Sequence, residues 1–377
     1  MSTTILSARQ AAELIPDGAT VAVTGSGGGL MEPDDVFAGI EELFLETGHP
    51  RGLTLVHALG LGDRDRRGTN RFAHEGLVRR VIGGHWTWSR PMQELAASDR
   101  IEAYSLPSGV ISLLLREIGA GRPGLITKTG LDTFVDPRRE GGKVNGSARE
   151  DLVEVLTLDG QEYLRYKPFR VDIGIVRGTA ADSGGNLTTR EEPADVDVFG
   201  VALAARNSGG RVIAQVRGSV PAGSLAAREV AVPGALVDCL VIRPHQLQTY
   251  RGDYDRSLAG LDHRGDVAPP AASGAGPRRV VALRAAEELV AGATINFGFG
   301  MSAGVAGIIA ERGQTGLYRT TIEQGIHGGT METGDLFGMA ANPDAIITAT
   351  EQFDFYHGGG LDIAFLGMAE LDGQGNV

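Results

Sequence analysis

The sequence contains an internal repeat, and this repeat limits the possible fold more than any other feature of the chain. The Ala-Ala-Glu of residues 11–13 recurs at 285–287, and the Gly-Ala-Thr of residues 18–20 recurs at 292–294, each 274 positions later (285 − 11 and 292 − 18). Self-similarity at a fixed offset indicates duplicated structural units. We therefore expect two related units in this chain.

A second pair of segments supports the duplication. Asp-Ile at 172–173 and Gly-Asn at 185–186 recur at 362–363 and 375–376, each 190 positions later (362 − 172 and 375 − 185). The two offsets differ by 84 residues (274 − 190), so the first copy should contain an insertion, for which the Gly-, Pro- and Arg-rich stretch 122–146 is the candidate. The first copy continues past residue 186 whereas the second stops at Val377, which predicts an incomplete second copy.

Length and composition predict two domains. Hydrophobic cores stop growing at about 250–300 residues, and this chain has 377. A Pro-, Ala- and Gly-rich stretch lacks the side chains needed for a core and is typical of a linker. We predict an N-terminal domain over residues 1–262, a linker over 263–278 and an incomplete C-terminal domain over 279–377.

Short β-branched runs alternate with helical patterns, for example residues 54–56 and 78–82 against 111–118. This alternation is typical of parallel sheets flanked by helices. The predicted fold class is therefore α/β, with two related open α/β domains.

Charge and cysteine content exclude several classes of protein. The 35 Lys and Arg against 47 Asp and Glu give a net charge of −12, which argues against a nucleic-acid partner because phosphate binding requires clustered basic residues. Neither a secretory leader nor an apolar run of ~20 residues is present, so we expect a cytoplasmic protein without a membrane partner. The single cysteine, Cys239, and the scattered histidines give no metal-ligand spacing, so we expect no catalytic metal.

Glycine is unusually abundant, at 56 of 377 residues against a typical share of ~7%. The glycines cluster after apolar stretches, at residues 25–29, 298–300, 325–329 and 358–360. Glycine lets the backbone approach a ligand closely. These clusters are therefore candidate binding loops, although a single cluster is equally consistent with a simple turn.

Two polar residues, one at the end of a predicted strand and one among residues suited to a buried strand, are candidates for chemistry. Glu323 follows the strand-like run 318–322, and a carboxylate there can act as a nucleophile in acyl transfer. Asn296 follows residues 293–295, and its amide NH₂ is a suitable oxyanion donor, as is a backbone N–H in 358–360. A solvated glutamate and a structural asparagine remain open as alternatives.

Two other motifs overlap this region. Residues 300–304 match the G-x-S-x-G nucleophile elbow, with Ser302 as nucleophile and Asp354 and His357 as further triad members. Residues Gly298 to Ala303 match a G-x-G-x-x-A dinucleotide loop, which predicts an NAD-dependent oxidoreductase. The first copy has no equivalent elbow, but the motifs alone leave the dinucleotide loop as a close competitor.

Longer blocks of the sequence resemble the family I coenzyme A transferases, in particular the propionate and acetate/3-ketoacid types. The matching blocks lie in both halves of the chain, at residues 83–86, 106–111, 133–138, 140–145, 323–325, 328–329, 342–343 and 353–362. The resemblance covers nearly the whole chain.

The resemblance implies a CoA-transferase that moves CoA from a short-chain acyl-CoA to a carboxylate acceptor of the acetate, propionate or 3-ketoacid class. Glu323 would be the nucleophile of a ping-pong reaction, and Asn296 with the backbone amide of Gly359 would hold the oxyanion. CoA would be a substrate, with no permanently bound cofactor, in a homo-oligomer (dimer or tetramer). We assign substrate and CoA binding to glycine-rich and neighbouring positions: Gly25, Gly27, Gly28, Ser108, Gly109, Gln324, Gly325, Gly328, Gly358 and Gly360.

The sequence departs from the family pattern at three places. Ser108-Gly109 stands where the family commonly has Gln-Gly, and His327 and His357 replace an aliphatic residue and an acid. Family members also continue beyond the position of Val377. A truncated, inactive homologue is therefore a further alternative.

Overall fold

The computed structural model describes residues 3–265, 267–271, 274–368 and 370–376. The chain forms two compact units, Met1–Tyr254 and Asp255–Val377. The predicted linker falls within the second unit, and a helix begins at Pro277 inside it. The predicted domain limits stay a prediction, and three linker residues and the chain end lie outside the described residues: Asp266, Ala272, Ser273 and Val377.

The first unit combines a large sheet with flanking helices. Its strands are β1 Thr4–Leu6, β2 Thr20–Val23, β3 Leu53–His57, β4 Val78–Gly83, β5 Glu102–Ser105, β6 Leu125–Thr127, β7 Val153–Leu158, β8 Gln161–Tyr166, β9 Ile173–Asp182, β10 Leu187–Thr188, β11 Arg211–Val220, β12 Val230–Val232 and β13 Cys239–Ile242. Its helices are α1 Ala8–Ala12, α2 Asp34–Thr47, α3 Arg90–Ala97, α4 Ser108–Gly119 and α5 Val198–Asn207.

In the described part of the chain, the main sheet has ten strands, eight of them in the order β1-β13-β11-β9-β2-β3-β4-β5. Every neighbouring pair along this order is parallel, while β10 pairs antiparallel with β9 and β12. All five residues of β3 are buried, as expected for a parallel strand covered on both faces. The predicted α/β class with a parallel sheet and flanking helices is confirmed.

Local sequence signals explain where the first elements begin. The Ser7 side chain accepts a hydrogen bond from the Gln10 backbone N–H (3.2 Å), and the Gln10 side chain accepts one from the Ser7 backbone (2.9 Å). This reciprocal capping box satisfies two backbone donors at the start of α1. Strand residues such as Val21 and Leu55 pack in an apolar core that includes Phe37 and Phe72, whose rings meet edge to face at a centroid distance of 5.1 Å.

A small antiparallel sheet, β6-β8-β7, lies between the parallel strands β5 and β9 in the sequence. It overlaps the region in which the offset of the repeats predicts an insertion. The hairpin of β7 and β8 is long, with six paired residues, and turns at residues 159–160.

The second unit is smaller. Its strands are β14 Thr294–Phe297, β15 Arg319–Ile322, β16 Ile326–His327, β17 Thr330–Met331, β18 Ala340–Ala341, β19 Ala345–Ile346 and β20 Ile363–Phe365, and its helices are α6 Pro277–Ala286, α7 Ala303–Glu311 and α8 Ala349–Phe355. The sheet order is β19-β16-β15-β14-β20, with β14 parallel to both of its neighbours. The buried side chains Ile295, Phe297, Val305 and Ile308 form its core.

One aspartate contact occurs in both units. Asp172 accepts a hydrogen bond from the backbone N–H of Thr20 through Oδ2 (2.9 Å), and Asp362 accepts the equivalent bond from Thr294 (2.8 Å). In each case the aspartate precedes a strand, β9 or β20, that is parallel to the strand of its partner, β2 or β14.

A second contact also recurs. Asn186 donates through Nδ2 to Asp182 Oδ2 (2.9 Å), and Asn376 donates in the same way to Asp372 (2.7 Å). The backbone N–H groups of the two asparagines also donate to the corresponding aspartates. Both repeated sequence motifs therefore form the same local structure.

None of the described helices is both long and apolar enough to cross a bilayer.

Candidate active site

Glu323 lies directly after β15, at the carboxyl end of that strand, where the chain turns into β16. The turn requires Gly325, which has a φ of 100° and whose missing Cβ would collide with the carbonyl oxygen of Ile347. The Gly325 N–H donates to the carbonyl of Ile322 (3.0 Å) and closes the turn. The backbone around Glu323 therefore depends on a position, residue 325, that only glycine can occupy without strain.

Asn296 lies on the adjacent parallel strand β14 and is 4% exposed. Its Nδ2 lies 3.4 Å from Glu323 Oε2, and Nε2 of the buried Gln324 lies 3.4 Å from Glu323 Oε1. The structure thus brings together three residues that the sequence singled out, with one amide donor at each carboxylate oxygen.

The surroundings of Glu323 oppose its ionisation. Burial raises the pKa of its carboxyl group above the ordinary value of 4.5, while hydrogen bonds from its own backbone N–H, Asn296 and Gln324 act to lower it. Removal of water from a carboxylate raises its free energy unless hydrogen bonds replace the lost solvation. The ionised carboxylate therefore depends on these three hydrogen bonds for its stabilisation.

Two further polar groups, Tyr356 and Thr321, extend this cluster of hydrogen bonds beyond Asn296 and were not identified from the sequence. The Tyr356 hydroxyl lies 3.1 Å from Asn296 Nδ2 and 2.7 Å from Thr321 Oγ1. Thr321 is the register partner of Asn296 across β14 and β15, so the two side chains lie on the same face of the sheet. Thr321 lies two residues before Glu323, and this period-2 spacing is the signal in the sequence that could have identified it.

The predicted oxyanion segment lies at the end of α8. Residues Tyr356–Gly360 form a wider, π-type turn in which Gly359 has a φ of 96°. Gly360 is tightly placed, because a Cβ there would collide with the ring of Phe355, whereas Gly358 and Gly359 face open space. In the described part of the chain, no hydrogen bond joins Gly359 to Glu323.

Two other predicted binding positions of the second unit are explained by local packing. Gln324 is 2% exposed, beside Glu323. Gly328 has a φ of 67°, and a Cβ there would collide with the carboxylate of Asp344. Both positions therefore hold the loop that follows Glu323.

The glycine cluster of the first unit is packed against large side chains of the same unit. A Cβ at Gly25 would lie 2.6 Å from Glu32, and one at Gly27 would collide with the Trp88 ring, while Gly28 has a φ of 80°. This loop follows β2 at the carboxyl edge of the parallel sheet, where ligands of α/β proteins bind.

Ser108 and Gly109 begin α4, which follows the neighbouring strand β5. Gly84, after β4, leaves room for the Ser108 hydroxyl, since a Cβ at Gly84 would collide with that oxygen. These positions therefore follow the carboxyl ends of β4 and β5, which belong to the same parallel sheet as β2 and the glycine cluster after it.

The structure does not assemble the predicted serine triad. Ser302 is 8% exposed, and its hydroxyl donates to the carbonyl of Gly298 (2.8 Å). Within the described residues, no hydrogen bond joins Ser302 to His357. A serine whose proton is held by a backbone carbonyl is not activated for attack.

A cavity of about 600 Å³ in the second unit is lined by Phe297, Tyr318, Thr320 and His327, among others. Phe297 and Thr320 alternate with Asn296 and Thr321 along their strands and therefore point to the opposite face of the sheet. This cavity therefore lies largely on the face of the sheet opposite to the Asn296 side chain, and the chemistry rather than the volume locates the site.

In the described part of the chain, no group of three or more His, Cys, Asp or Glu residues is placed to hold a metal ion.

Comparison with known proteins identifies the family. Residues 5–243 match the family model described as Coenzyme A transferase. The chain is 40% identical to acetate CoA-transferase YdiF of Escherichia coli (strain K12), over 99% of this chain and 70% of that protein. It is 42% identical to caffeate CoA-transferase of Acetobacterium woodii, over 99% of this chain and 71% of that protein.

A solved structure agrees in fold. The crystal structure of the acyl-CoA transferase YdiF from Escherichia coli O157:H7, in thioester complex with CoA, superposes with a TM-score of 0.92 at 38% identity, covering 100% of this chain and 71% of that chain. These matches favour acyl transfer over the dinucleotide alternative. The chain belongs to the coenzyme A transferase family and is an acyl-CoA:carboxylate CoA-transferase.

Proposed function

We propose that this CoA-transferase moves CoA from a short-chain acyl-CoA to a carboxylate of the acetate, propionate or 3-ketoacid class, through a glutamyl-CoA thioester on Glu323. The observation that carries the proposal is the partly desolvated Glu323 carboxylate, with the Asn296 amide nitrogen 3.4 Å from one oxygen. Similarity to transferases named for acetate and for caffeate supports a carboxylate acceptor.

The proposed reaction alternates between two covalent intermediates. A Glu323 oxygen attacks the thioester carbonyl, and the C–S bond breaks to give a mixed anhydride and the CoA thiolate. The thiolate attacks the glutamyl carbonyl, which forms the enzyme–CoA thioester and releases the first carboxylate. The acceptor carboxylate then reverses these two steps and leaves as the new acyl-CoA, with Glu323 regenerated.

Each addition step places negative charge on a carbonyl oxygen. The Asn296 NH₂ group and the backbone N–H of Gly359 are the proposed donors to this oxyanion. Asn296 is buried on a strand, so its amide does not need to reorganise extensively during the reaction, and Gly359 lies in the π-type turn that follows α8.

Substrate binding is proposed at the glycine-rich segments at strand ends. Glycine lets the backbone there come close to the CoA phosphates and the acyl group without a side chain in between. The proposed positions are Gly25, Gly27, Gly28, Ser108, Gly109, Gln324, Gly325, Gly328, Gly358 and Gly360.

Peptide mass spectrometry after incubation with acetyl-CoA or propionyl-CoA tests the nucleophile. We expect a CoA adduct on the peptide that contains Glu323, and its loss in Glu323→Gln. Glu288→Gln is the matched control, since Glu288 is an exposed glutamate of the same unit that pairs with Arg284. An adduct that persists in Glu323→Gln, or turnover without any adduct, would contradict the proposal.

We also propose that the two units are related by duplication, that the protein acts in the cytoplasm, and that it assembles as a dimer or tetramer. The recurring contacts of Asp172 and Asp362 support the duplication. Native mass spectrometry of the purified protein tests the assembly, and a monomer would contradict it.

A further inference from the structure

We infer that Tyr356 is a positioning residue, whose hydroxyl fixes the orientation of the Asn296 amide through a chain of hydrogen bonds that runs in one direction. The inference rests on the roles proposed above for Glu323 and Asn296. It goes beyond them because it states what determines which atom of the Asn296 side chain faces the reacting carboxylate.

The direction of this series of hydrogen bonds follows from the contact at its end, between Thr321 and Ile295. Thr321 Oγ1 lies 2.9 Å from the carbonyl oxygen of Ile295. A backbone carbonyl can only accept a hydrogen bond, so the single proton of the Thr321 hydroxyl is directed to Ile295. The Thr321 oxygen is then available to accept a bond and has no second proton to give.

The next contact is thereby determined. Tyr356 Oη and Thr321 Oγ1 are 2.7 Å apart, and distance alone does not identify the donor. Because the Thr321 proton is already used, Tyr356 donates to Thr321. The Tyr356 oxygen accepts in turn, and its neighbour is Asn296 Nδ2 at 3.1 Å.

This arrangement requires the NH₂ end of Asn296 to point toward Tyr356 and Glu323. In the opposite orientation, Oδ1 would face the lone pairs of the Tyr356 oxygen and of the Glu323 carboxylate, with no proton between them. The two protons of Nδ2 instead serve Tyr356 Oη and Glu323 Oε2, at 3.1 and 3.4 Å. The same nitrogen is the proposed oxyanion donor.

The Tyr356 hydroxyl keeps the proton that this chain needs. Burial raises the pKa of the phenol above its ordinary value of 10, although contacts with Thr321, Asn296 and Gln352 act to lower it. Gln352 is fully buried, and its Oε1 lies 2.7 Å from His327 Nε2. His327 thus holds the oxygen end of the Gln352 amide, while Gln352 Nε2 makes no hydrogen bond within the described residues.

The central test removes single hydroxyl groups. Tyr356→Phe should lower kcat and the rate of Glu323 adduct formation by ~10-fold to ~100-fold, by analogy with the range found for groups that orient metal-binding side chains. KM for acyl-CoA should not change, because Tyr356 acts through Asn296 and not on bound substrate. Tyr318→Phe, which removes a tyrosine hydroxyl elsewhere in the same unit, should behave like the wild type.

Thr321 provides the rescue and the coupling test. Thr321→Ser keeps the hydroxyl and should retain activity, whereas the isosteric Thr321→Val should reduce kcat like Tyr356→Phe. Since both changes interrupt the same series of hydrogen bonds, the double variant should be no slower than the more affected single variant. Rates are expressed per site able to form the adduct, so that a loss of folded protein does not imitate the effect.

The outcomes separate this inference from the proposed nucleophile. Wild-type kcat in Tyr356→Phe, a parallel change in KM, or full additivity of the two variants would overturn the positioning role even if Glu323→Gln abolishes the adduct. An adduct that persists in Glu323→Gln would instead overturn the nucleophile and this inference together.

Discussion

Glu323 must be ionised to attack a carbonyl carbon, yet burial raises the pKa of its carboxyl group. The rate constant of adduct formation should therefore decrease as the pH falls through a pKa above the ordinary 4.5 of glutamate. Asn296→Ala removes one of the contacts that lower this pKa and should move the acid limb to higher pH. Stopped-flow assays of adduct formation over the acid and neutral range check both statements, and an unshifted limb in the variant would contradict the second.

The same substitution should also slow the reaction at pH values where Glu323 is fully ionised. Loss of one oxyanion donor typically costs ~10²–10³ in kcat. Asn296→Asp retains the size of the side chain but places a second carboxylate near Glu323, so it should be slower still and its acid limb should lie at higher pH. If Asn296→Ala retained full kcat at high pH, the oxyanion role of this amide would be wrong.

Glu32 is a second buried carboxyl group, located in the first unit, and it should control stability rather than rate. Burial raises its pKa to about 8, against hydrogen bonds from Gly62 (2.9 Å) and Tyr250 (2.7 Å) that favour the charged form. The folded state therefore binds this proton more tightly than the unfolded state, in which the pKa is near 4.5. The free energy of unfolding should decrease as the pH rises from about 4.5 to about 8.

Urea unfolding of the wild type and Glu32→Gln at several pH values tests this sign. The difference between the two curves isolates Glu32 from other titrating groups, and the variant should lose the part of the pH dependence that lies in this window. Equal slopes in the two proteins would show that Glu32 is ionised in the folded state throughout.

At the level of elements, helix α8 connects a capping signal to the proposed site. Thr348 accepts a hydrogen bond from the Glu351 N–H (3.2 Å), and Glu351 accepts one from the Thr348 N–H (3.0 Å). The helix has seven residues and Tyr356 follows it immediately. Thr348→Ala should cost ~1 kcal/mol of stability, which urea unfolding measures, and should lower kcat in part because Tyr356 loses order. Thr348→Ser should restore both, and an unchanged unfolding midpoint in Thr348→Ala would contradict the role of the cap.

The sequence predicts elements whose signals are local. The capping box at Ser7, the strand that ends before Glu323 and the glycine turn after it follow from spacing and residue type. The start of α6 at Pro277 was missed, although proline is favoured at the first position of a helix. The contact of Tyr356 with Asn296 could not be predicted, because it depends on where α8 packs against β14.

At the scale of the whole molecule, the proposed duplication predicts that Asp172 and Asp362 make equivalent contributions. Each carboxylate accepts a hydrogen bond from a backbone N–H of a neighbouring parallel strand, Thr20 at 2.9 Å or Thr294 at 2.8 Å. Hydrogen bonds to charged groups contribute about 1.5–3 kcal/mol. Asp172→Ala should therefore lower the protection of the Thr20 amide against hydrogen exchange, and Asp362→Ala that of Thr294, each with no effect on the other amide.

The exposed Asp65 supplies the control, since Asp65→Ala should leave both amides protected. If the two units derive from one ancestral unit, the contact was inherited with its geometry, and the two losses of protection should agree in size despite the different lengths of the surrounding sheets. A large loss of protection at Thr20 with none at Thr294 would mean that the Asp362–Thr294 hydrogen bond contributes nothing to local stability. The proposed duplication would then be supported by the sequence alone.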